Sequence, residues 1–304
     1  MEHKFEWSIR MYVDQYLKYL KEDRKLTGNS LDAYQRDLVG FGKYCQSKGV
    51  DNILKVDNTN VVSFLMYLTE TGKSPSTLNR KLASIRAFYK YAIEQGWVST
   101  NPAANVKAPK IERKEIEYLT VEEVELLLSM PGDKTPKAKR DKAILELMYA
   151  TGIKVNELIA ANVEDVNLRI GFFTCPGTIG KARIVPIGRM ARMAIEDYLR
   201  DARDLMIKKN PDERALFVNF YGERISRQGL WKLLKGYGEK AGLEGKITPH
   251  ILRNSFAVHM VQNGADLKSL QELLGHEDIS ATQIYLSVMK NRIKDVYDHT
   301  HPRA

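Results

Sequence analysis

Near the C-terminal end of the sequence, four side chains have the types and order needed to act on a phosphodiester: His250, Arg253, His276 and Tyr285. An arginine fork can hold two non-bridging phosphate oxygens as negative charge builds on them. A histidine can donate to the phosphate or move a proton, and a tyrosine can serve as a covalent nucleophile. His250 and Arg253 are three residues apart behind Thr248-Pro249, so on a helix they share a face. Taken singly, each has a plainer reading. A His-x-x-Arg pair is commonly a helix-surface pair, and a tyrosine after an amphipathic helix commonly packs its ring in the core. His259, His299 and His301 fit packing or surface positions. No cysteine or carboxylate set stands at metal-ligand spacing from His250 or His276, so neither zinc nor another cofactor is expected.

These residues need helices to carry them, and the sequence supplies the signals. Thr248-Pro249 opens a helix over 249–263, and others follow over 266–274, 280–286 and 289–297. Upstream, 118–248 reads as helices with one strand region. Thr120 caps the helix VEEVELLLSM with Glu123 at capping-box spacing. An apolar helix runs from Asp141 to Tyr149 and ends at Thr151-Gly152, and another spans Val155 to Ala160. Phe172 to Thr174 and Ala182 to Ile187 read as two strands joined by the Pro176-Gly177 turn. Helices then cover 190–208 and 226–241. The first hundred residues read as four helices: one through Ile9 to Leu20, one from Ser30 to near Gly49, one from Val61 to Leu68, and one that Ser74-Pro75 opens and Gly96 closes. Apolar periodicity lapses over 101–117. We expect two domains, 1–105 and 118–304, joined by a linker at 106–117.

Composition bounds the setting. A chain of 304 residues with 43% hydrophobic content is too long for one small core. It has no apolar run long enough to span a membrane, and its N-terminus lacks the pattern of a signal peptide. Two cysteines, Cys45 and Cys175, fall in different domains, which argues against a disulfide framework and for a cytoplasmic setting. The net charge of +9 favours a polyanionic partner. Residues 1–110 carry 17 basic and 11 acidic side chains and residues 111–304 carry 30 and 27, so both halves could meet phosphate.

The segment TPHILRNSFAVHMVQNGADLKSLQELLGHEDISATQIY resembles the tyrosine recombinase (phage integrase) family, and within it the bacterial Xer proteins. YATGIKVNELIAANVEDVNL, ARIVPIG and the terminal HPRA extend the likeness, and SPSTLNRKLASIRAFYKYAIEQGWVSTNPA looks like that family's core-binding domain. The resemblance implies a mainly α fold with a small β-hairpin or sheet. An N-terminal four-helix SAM-like domain and a C-terminal catalytic domain would form a two-domain clamp around double-stranded DNA. It implies cutting and rejoining of DNA through a 3′-phosphotyrosyl intermediate, without nucleotide or metal. Tyr285 matches the nucleophile, His250 and Arg253 the pair on the phosphate, and His276 the histidine after Leu-Gly. The tail, near 289–297 and beyond, matches the part that packs on a neighbouring protomer. That implies a tetramer, of one chain or with a paralogue, on two duplexes.

Two positions depart from the family pattern. Lys154 stands where the first catalytic arginine is expected; it keeps the charge but loses the planar fork. Counting back from VPIG, the catalytic lysine falls on Thr178, with Lys181 close enough to substitute if the turn shifts register. A recombinase is therefore expected, with a catalytically impaired DNA-binding paralogue as its alternative. A type IB topoisomerase and a helical scaffold are further readings. Arg80, Lys81, Arg86 and Lys90 on one helix, and Arg224, Arg227, Lys232 and Lys235 around another, are candidates for contact with the duplex; without the resemblance they read as solvated faces.

Overall fold

The computed structural model describes residues 2–110, 115–176, 182–276 and 278–286, with side chains from residue 10 onward. The chain divides into two compact units, Met1–Lys114 and Glu115–Ala304.

Among the described residues, unit 1 is built on the helices α1 (Glu2–Glu22), α2 (Gly28–Ser47), α3 (Asn58–Glu70) and α4 (Pro75–Glu94). Helix α2 starts two residues before the expected Ser30, because the Thr27 carbonyl already accepts the amide of Leu31 at 3.0 Å. Helix α3 starts three residues before Val61, where Asp57 and Asn60 cap each other reciprocally. Helix α4 begins where Ser74-Pro75 places it, with the Ser74 hydroxyl on the Thr77 amide. Leu38, Phe41, Leu82, Ile85, Phe88 and Tyr89 are fully buried among these helices. Each contributes about 1.5–3 kcal/mol by leaving water.

Unit 2 is helical around one small antiparallel sheet. The helices α5 (Val121–Ser129), α6 (Pro136–Thr151) and α7 (Val155–Ala160) come first. The strands β1 (Val166–Asn167), β2 (Phe172–Cys175) and β3 (Arg183–Pro186) follow, in the order β1-β2-β3, with Phe173 opposite Val185. Two residues are too few for alternation, so β1 left no signal in the sequence. Helix α6 begins five residues before the expected Asp141, where Thr135 caps the Ala138 amide. That added turn brings in Arg140, whose Nη1 donates to the Val218 carbonyl at 2.9 Å. The helix expected over 190–208 is interrupted. Helix α8 (Arg189–Tyr198) passes into a π turn, Leu199–Arg203, before a short α9 (Asp204–Met206). The buried Arg203 there donates to the carbonyls of Glu213 and Ala215.

Three helices complete the frame of the site: α10 (Arg227–Lys240), α11 (Pro249–Gln262) and α12 (Leu267–Leu274). A single turn, α13 (Ser280–Gln283), precedes Tyr285. The helix expected near 289–297 lies outside the described residues. Among the described residues no helix is long and apolar enough to cross a membrane.

Gly152 closes α6 at φ +57°, and a Cβ there would lie 2.5 Å from Cδ1 of Phe256 and 2.9 Å from Cδ2 of Leu274. Only glycine suits both the left-handed backbone and the close approach of α11 and α12. Gly152→Ala should lower the unfolding free energy by about 2–3 kcal/mol, read as a shift of the urea midpoint. An unchanged midpoint would mean that this junction yields freely.

Candidate active site

The Thr248 hydroxyl accepts the Ile251 amide at 3.1 Å and starts α11 at Pro249. From that start His250 lies on the exposed rim, while Arg253 turns inward and is 6% exposed. A guanidinium can be buried only if its N–H groups find acceptors. Arg253 finds three. Nη1 donates to the Gly152 carbonyl, and Nη2 donates to the Leu274 carbonyl at 2.6 Å and to Nε2 of His276 at 2.9 Å.

Two more cations reach the same helix end. Arg183, on β3, donates from Nε to the Leu273 carbonyl at 2.8 Å, and Lys154 donates from Nζ to the Gly275 carbonyl at 2.9 Å. Three cations from three elements thus meet three successive carbonyls at the C-terminus of α12, where the helix dipole places partial negative charge. Gly275 makes room for this: a Cβ there would lie 2.9 Å from Nη1 of Arg183. Glu157, buried on α7, accepts both Nη atoms of Arg183 and takes the Lys154 amide at 2.8 Å. Arg253, Arg183 and Lys154 set against Glu157 leave this group with a positive surplus, which suits an anion.

His276 sits directly after those carbonyls. Arg253 can only donate, so Nε2 must accept and the ring proton must reside on Nδ1, facing the buried Thr282 hydroxyl at 2.9 Å. Burial, with the fields of Arg253, Lys154, Arg183 and His250 added, pulls this imidazole down to about 4. Burial likewise lowers the Arg253 guanidinium, and Arg183 adds to the effect.

Tyr285 is placed differently from the sequence expectation, which put its phenol beside a gripped phosphate. Its ring is 2% exposed and packs in a cluster with Phe256, Ala257, Val258, Val261, Leu270 and Leu274. Its hydroxyl donates to Oδ1 of Asn254 at 3.0 Å. Burial raises the phenol above its ordinary value, and Arg253 draws it partway back. The physical reason for the inward position is that a tyrosine ring in a short amphipathic turn gains more from apolar contact than from water.

The structure therefore brings Arg253, His276 and Lys154 together, sets His250 at the rim and holds Tyr285 back. Thr178, Lys181, His299 and His301 lie outside the described residues. His259 is a packed residue: it is buried, with Nδ1 2.9 Å from the Tyr149 hydroxyl. Sequence reasoning missed Arg183, Glu157, Asn254 and Thr282. Only Glu157 had a local signal, as an acid at the third position of a helix.

Most of the cations singled out for duplex contact make bonds within their own unit. Arg80 and Lys81 both pair with the buried Asp37, which also accepts the Ser84 hydroxyl. Arg86 donates to the carbonyls of Ala103 and Val106. Arg224 donates to those of Ile159 and Ala161, and Lys235 pairs with Glu239. Arg227 donates to the Asn156 side chain, one residue into α7 from Val155. Lys90 and Lys232 are exposed.

The model of the phage integrase family matches residues 117–292, and that of the phage integrase N-terminal SAM-like domain matches residues 13–96. The chain is 44% identical to tyrosine recombinase XerD of Oceanobacillus iheyensis, across 96% of this chain and 98% of that one. It is 42% identical to a putative tyrosine recombinase of Caldanaerobacter subterraneus subsp. tengcongensis, across 96% and 98%. Among solved structures, a XerH site-specific recombinase bound to its palindromic difH substrate superposes with a TM-score of 0.76 at 23% identity, across 93% of this chain and 83% of that one.

The depressed His276 titration has a measurable consequence. The folded ring takes a proton near 4, whereas an ordinary histidine does so near about 6.5. As pH falls, the unfolded chain binds the proton first, so this contribution to stability is full above about pH 6.5 and is lost toward pH 4. Discounted for partial exposure, the loss is about 1–2 kcal/mol. The ring resonances of His276 should titrate near pH 4, and His276→Gln should flatten the pH dependence of the urea midpoint over that window. A midpoint near pH 6.5 would disprove the buried cationic surroundings.

Proposed function

The chain belongs to the phage integrase family, and on that premise we propose that it cuts and rejoins duplex DNA at specific sites through a covalent bond between Tyr285 and a 3′-phosphate. The observation that carries this reading is the convergence of Arg253, Lys154 and Arg183 around His276, with a positive surplus and with Tyr285 just beyond α13.

The chemistry follows from the site. The Tyr285 oxygen gives up its proton to an imidazole of the site and attacks phosphorus, the bond to the 5′-oxygen breaks, and that oxygen takes a proton and leaves as a 5′-hydroxyl. A 5′-hydroxyl from a second duplex reverses the step, so the bond energy is kept in the ester and no cofactor is consumed. As charge builds on the non-bridging oxygens, Arg253 and Lys154 exchange the α12 carbonyls for phosphate oxygens. The arriving anion raises the His276 pKa and turns the ring into a donor. His250, already at the rim, supplies a second imidazole. Lys181 is the group we assign to protonate the leaving oxygen in place of Thr178.

Tyr285 has to leave its cluster first. Breaking one hydrogen bond and exposing the ring costs about 2–4 kcal/mol, which holds the extended form to a few per cent or less of the free protein. Binding must supply that difference. We infer four protomers on two duplexes, of one chain or with a paralogue. The protein then works in the compartment that holds the DNA, the cytoplasm. The domain reading we adopt is 1–105 for the core-binding domain and 118–304 for the catalytic one.

Lys154 favours a slow enzyme over a vigorous one. An ammonium holds one phosphate oxygen where an arginine fork would hold two, a loss of about 2–3 kcal/mol in the transition state. A duplex nicked beside the scissile phosphate traps the covalent intermediate. Trapping should vanish in Tyr285→Phe and rise about tenfold or more in Lys154→Arg, and further with Thr178→Lys. No trapping in any of these variants, with DNA still bound, would leave the non-catalytic paralogue as the answer.

Lys90, Lys232 and Arg227 are the side chains we assign to the duplex backbone, with Arg80 and Lys81 offering what their bond to Asp37 leaves. Removing one cation from a phosphate should reduce the slope of log K against log salt by about 0.9. Lys90→Gln and Lys232→Gln should each do so, and a slope unchanged in both would remove these two residues from the interface.

A further inference from the structure

Asn254 does two things with one amide. Its Oδ1 accepts the Tyr285 hydroxyl at 3.0 Å, and its Nδ2 donates to the Glu117 carbonyl at 3.0 Å. The side chain is buried, at 5% exposure. The assignment of the two ends is forced by chemistry, since a backbone carbonyl can only accept. Nδ2 must face Glu117, Oδ1 is left for the phenol, and the phenol must be the donor. The Tyr285 proton is therefore committed to Asn254 in this conformation.

Glu117 belongs to a strap at the head of unit 2, residues 115–119, through which the chain enters from unit 1. The next side chain of α11 holds the strap as well: the Ser255 hydroxyl accepts the Leu119 amide at 2.8 Å and donates to the Ile251 carbonyl at 2.8 Å. Ile116 and Tyr118 pack against the same apolar cluster that buries Tyr285. Strap, α11 and tyrosine thus form one packed unit in which Asn254 is the polar link.

We propose that Asn254 is a positioning residue that latches Tyr285 in its withdrawn place and ties that place to the strap, so that a shift of the strap and release of the tyrosine are one event. Water cannot take over the tyrosine half of the link without opening the cluster, because the Asn254 amide and the phenol are both buried against apolar neighbours. A displaced strap leaves Nδ2 without its acceptor, and an extended tyrosine leaves Oδ1 without its donor. Each change weakens the reason for the amide to keep its orientation, and the coupling runs equally in both directions. The inference rests on Tyr285 being the nucleophile only for its consequence; the latch itself is a property of the free protein.

The test uses the full-length protein without DNA. Tyrosines are nitrated with tetranitromethane and followed by peptide mass spectrometry, with Tyr221, 70% exposed, as the internal reference. Asn254→Leu should raise the rate of Tyr285 relative to Tyr221 by about fivefold, the factor that one net hydrogen bond is worth. Tyr285→Phe keeps the ring and the fold, and by reciprocity should speed hydrogen exchange of the Leu119 amide by a similar factor of about five. A merely structural asparagine would move neither of these relative rates. An unchanged Tyr285 rate in a cooperatively melting Asn254→Leu protein overturns the latch. If that variant does not melt cooperatively, unchanged Leu119 exchange in Tyr285→Phe overturns it instead. Because the assay omits DNA, failure of strand cleavage has no bearing on either outcome.

Discussion

Three cations share one helix end, and the site is organised by that contact. The carbonyls of residues 273, 274 and 275 are the unsatisfied acceptors that every α-helix leaves at its C-terminus. Arg183, Arg253 and Lys154 take one each. The arrangement concentrates positive charge from three elements at one place. Like charges at close range repel, and the dipole end of α12 together with Glu157 offsets that repulsion. It also sets the state of His276, whose ring has to stay neutral among these neighbours.

The same contact explains why two glycines sit where they do. Gly152 ends α6 against Phe256 and Leu274, and its carbonyl is one acceptor of Arg253. Gly275 ends α12 against Arg183. A side chain at Gly275 would press on Arg183, and one at Gly152 would press on Phe256 and Leu274. Packing and electrostatics are not separable here, since the backbone turns that close two helices also hand the acceptors to the guanidinium groups.

Tyr285 and the basic helices of unit 1 illustrate how tertiary contacts revise a residue's apparent role. The Tyr285 phenol is stored among leucines and a phenylalanine, and its hydroxyl donates to the amide oxygen of Asn254. A buried Asp37 takes up part of the charge of Arg80 and Lys81, and Arg86 is bonded to the carbonyls of residues 103 and 106. Charge counted along a sequence is an upper bound on charge offered to a partner, because a buried carboxylate must be neutralised from somewhere.

Much was legible from the sequence alone, and for local reasons. Ser74-Pro75, Thr120 with Glu123 and Thr248-Pro249 are caps whose hydrogen bonds span three residues, so helix starts could be placed from them. Phe172–Thr174 and Ala182–Ile187 could be read as a pair of strands because β-favouring residues flank the Pro176-Gly177 turn. His250, Arg253, His276 and Tyr285 could be named because reactive side-chain types are few and their order is distinctive. Tertiary structure decided what no local rule reaches: that Arg253 spends its donors on helix ends, that Arg183 and Glu157 belong to the site, and that Tyr285 is held by Asn254. Those contacts join residues from 21 to 101 positions apart in the chain. They depend on which faces are buried together, and a buried polar group takes whichever acceptor the packing brings within reach.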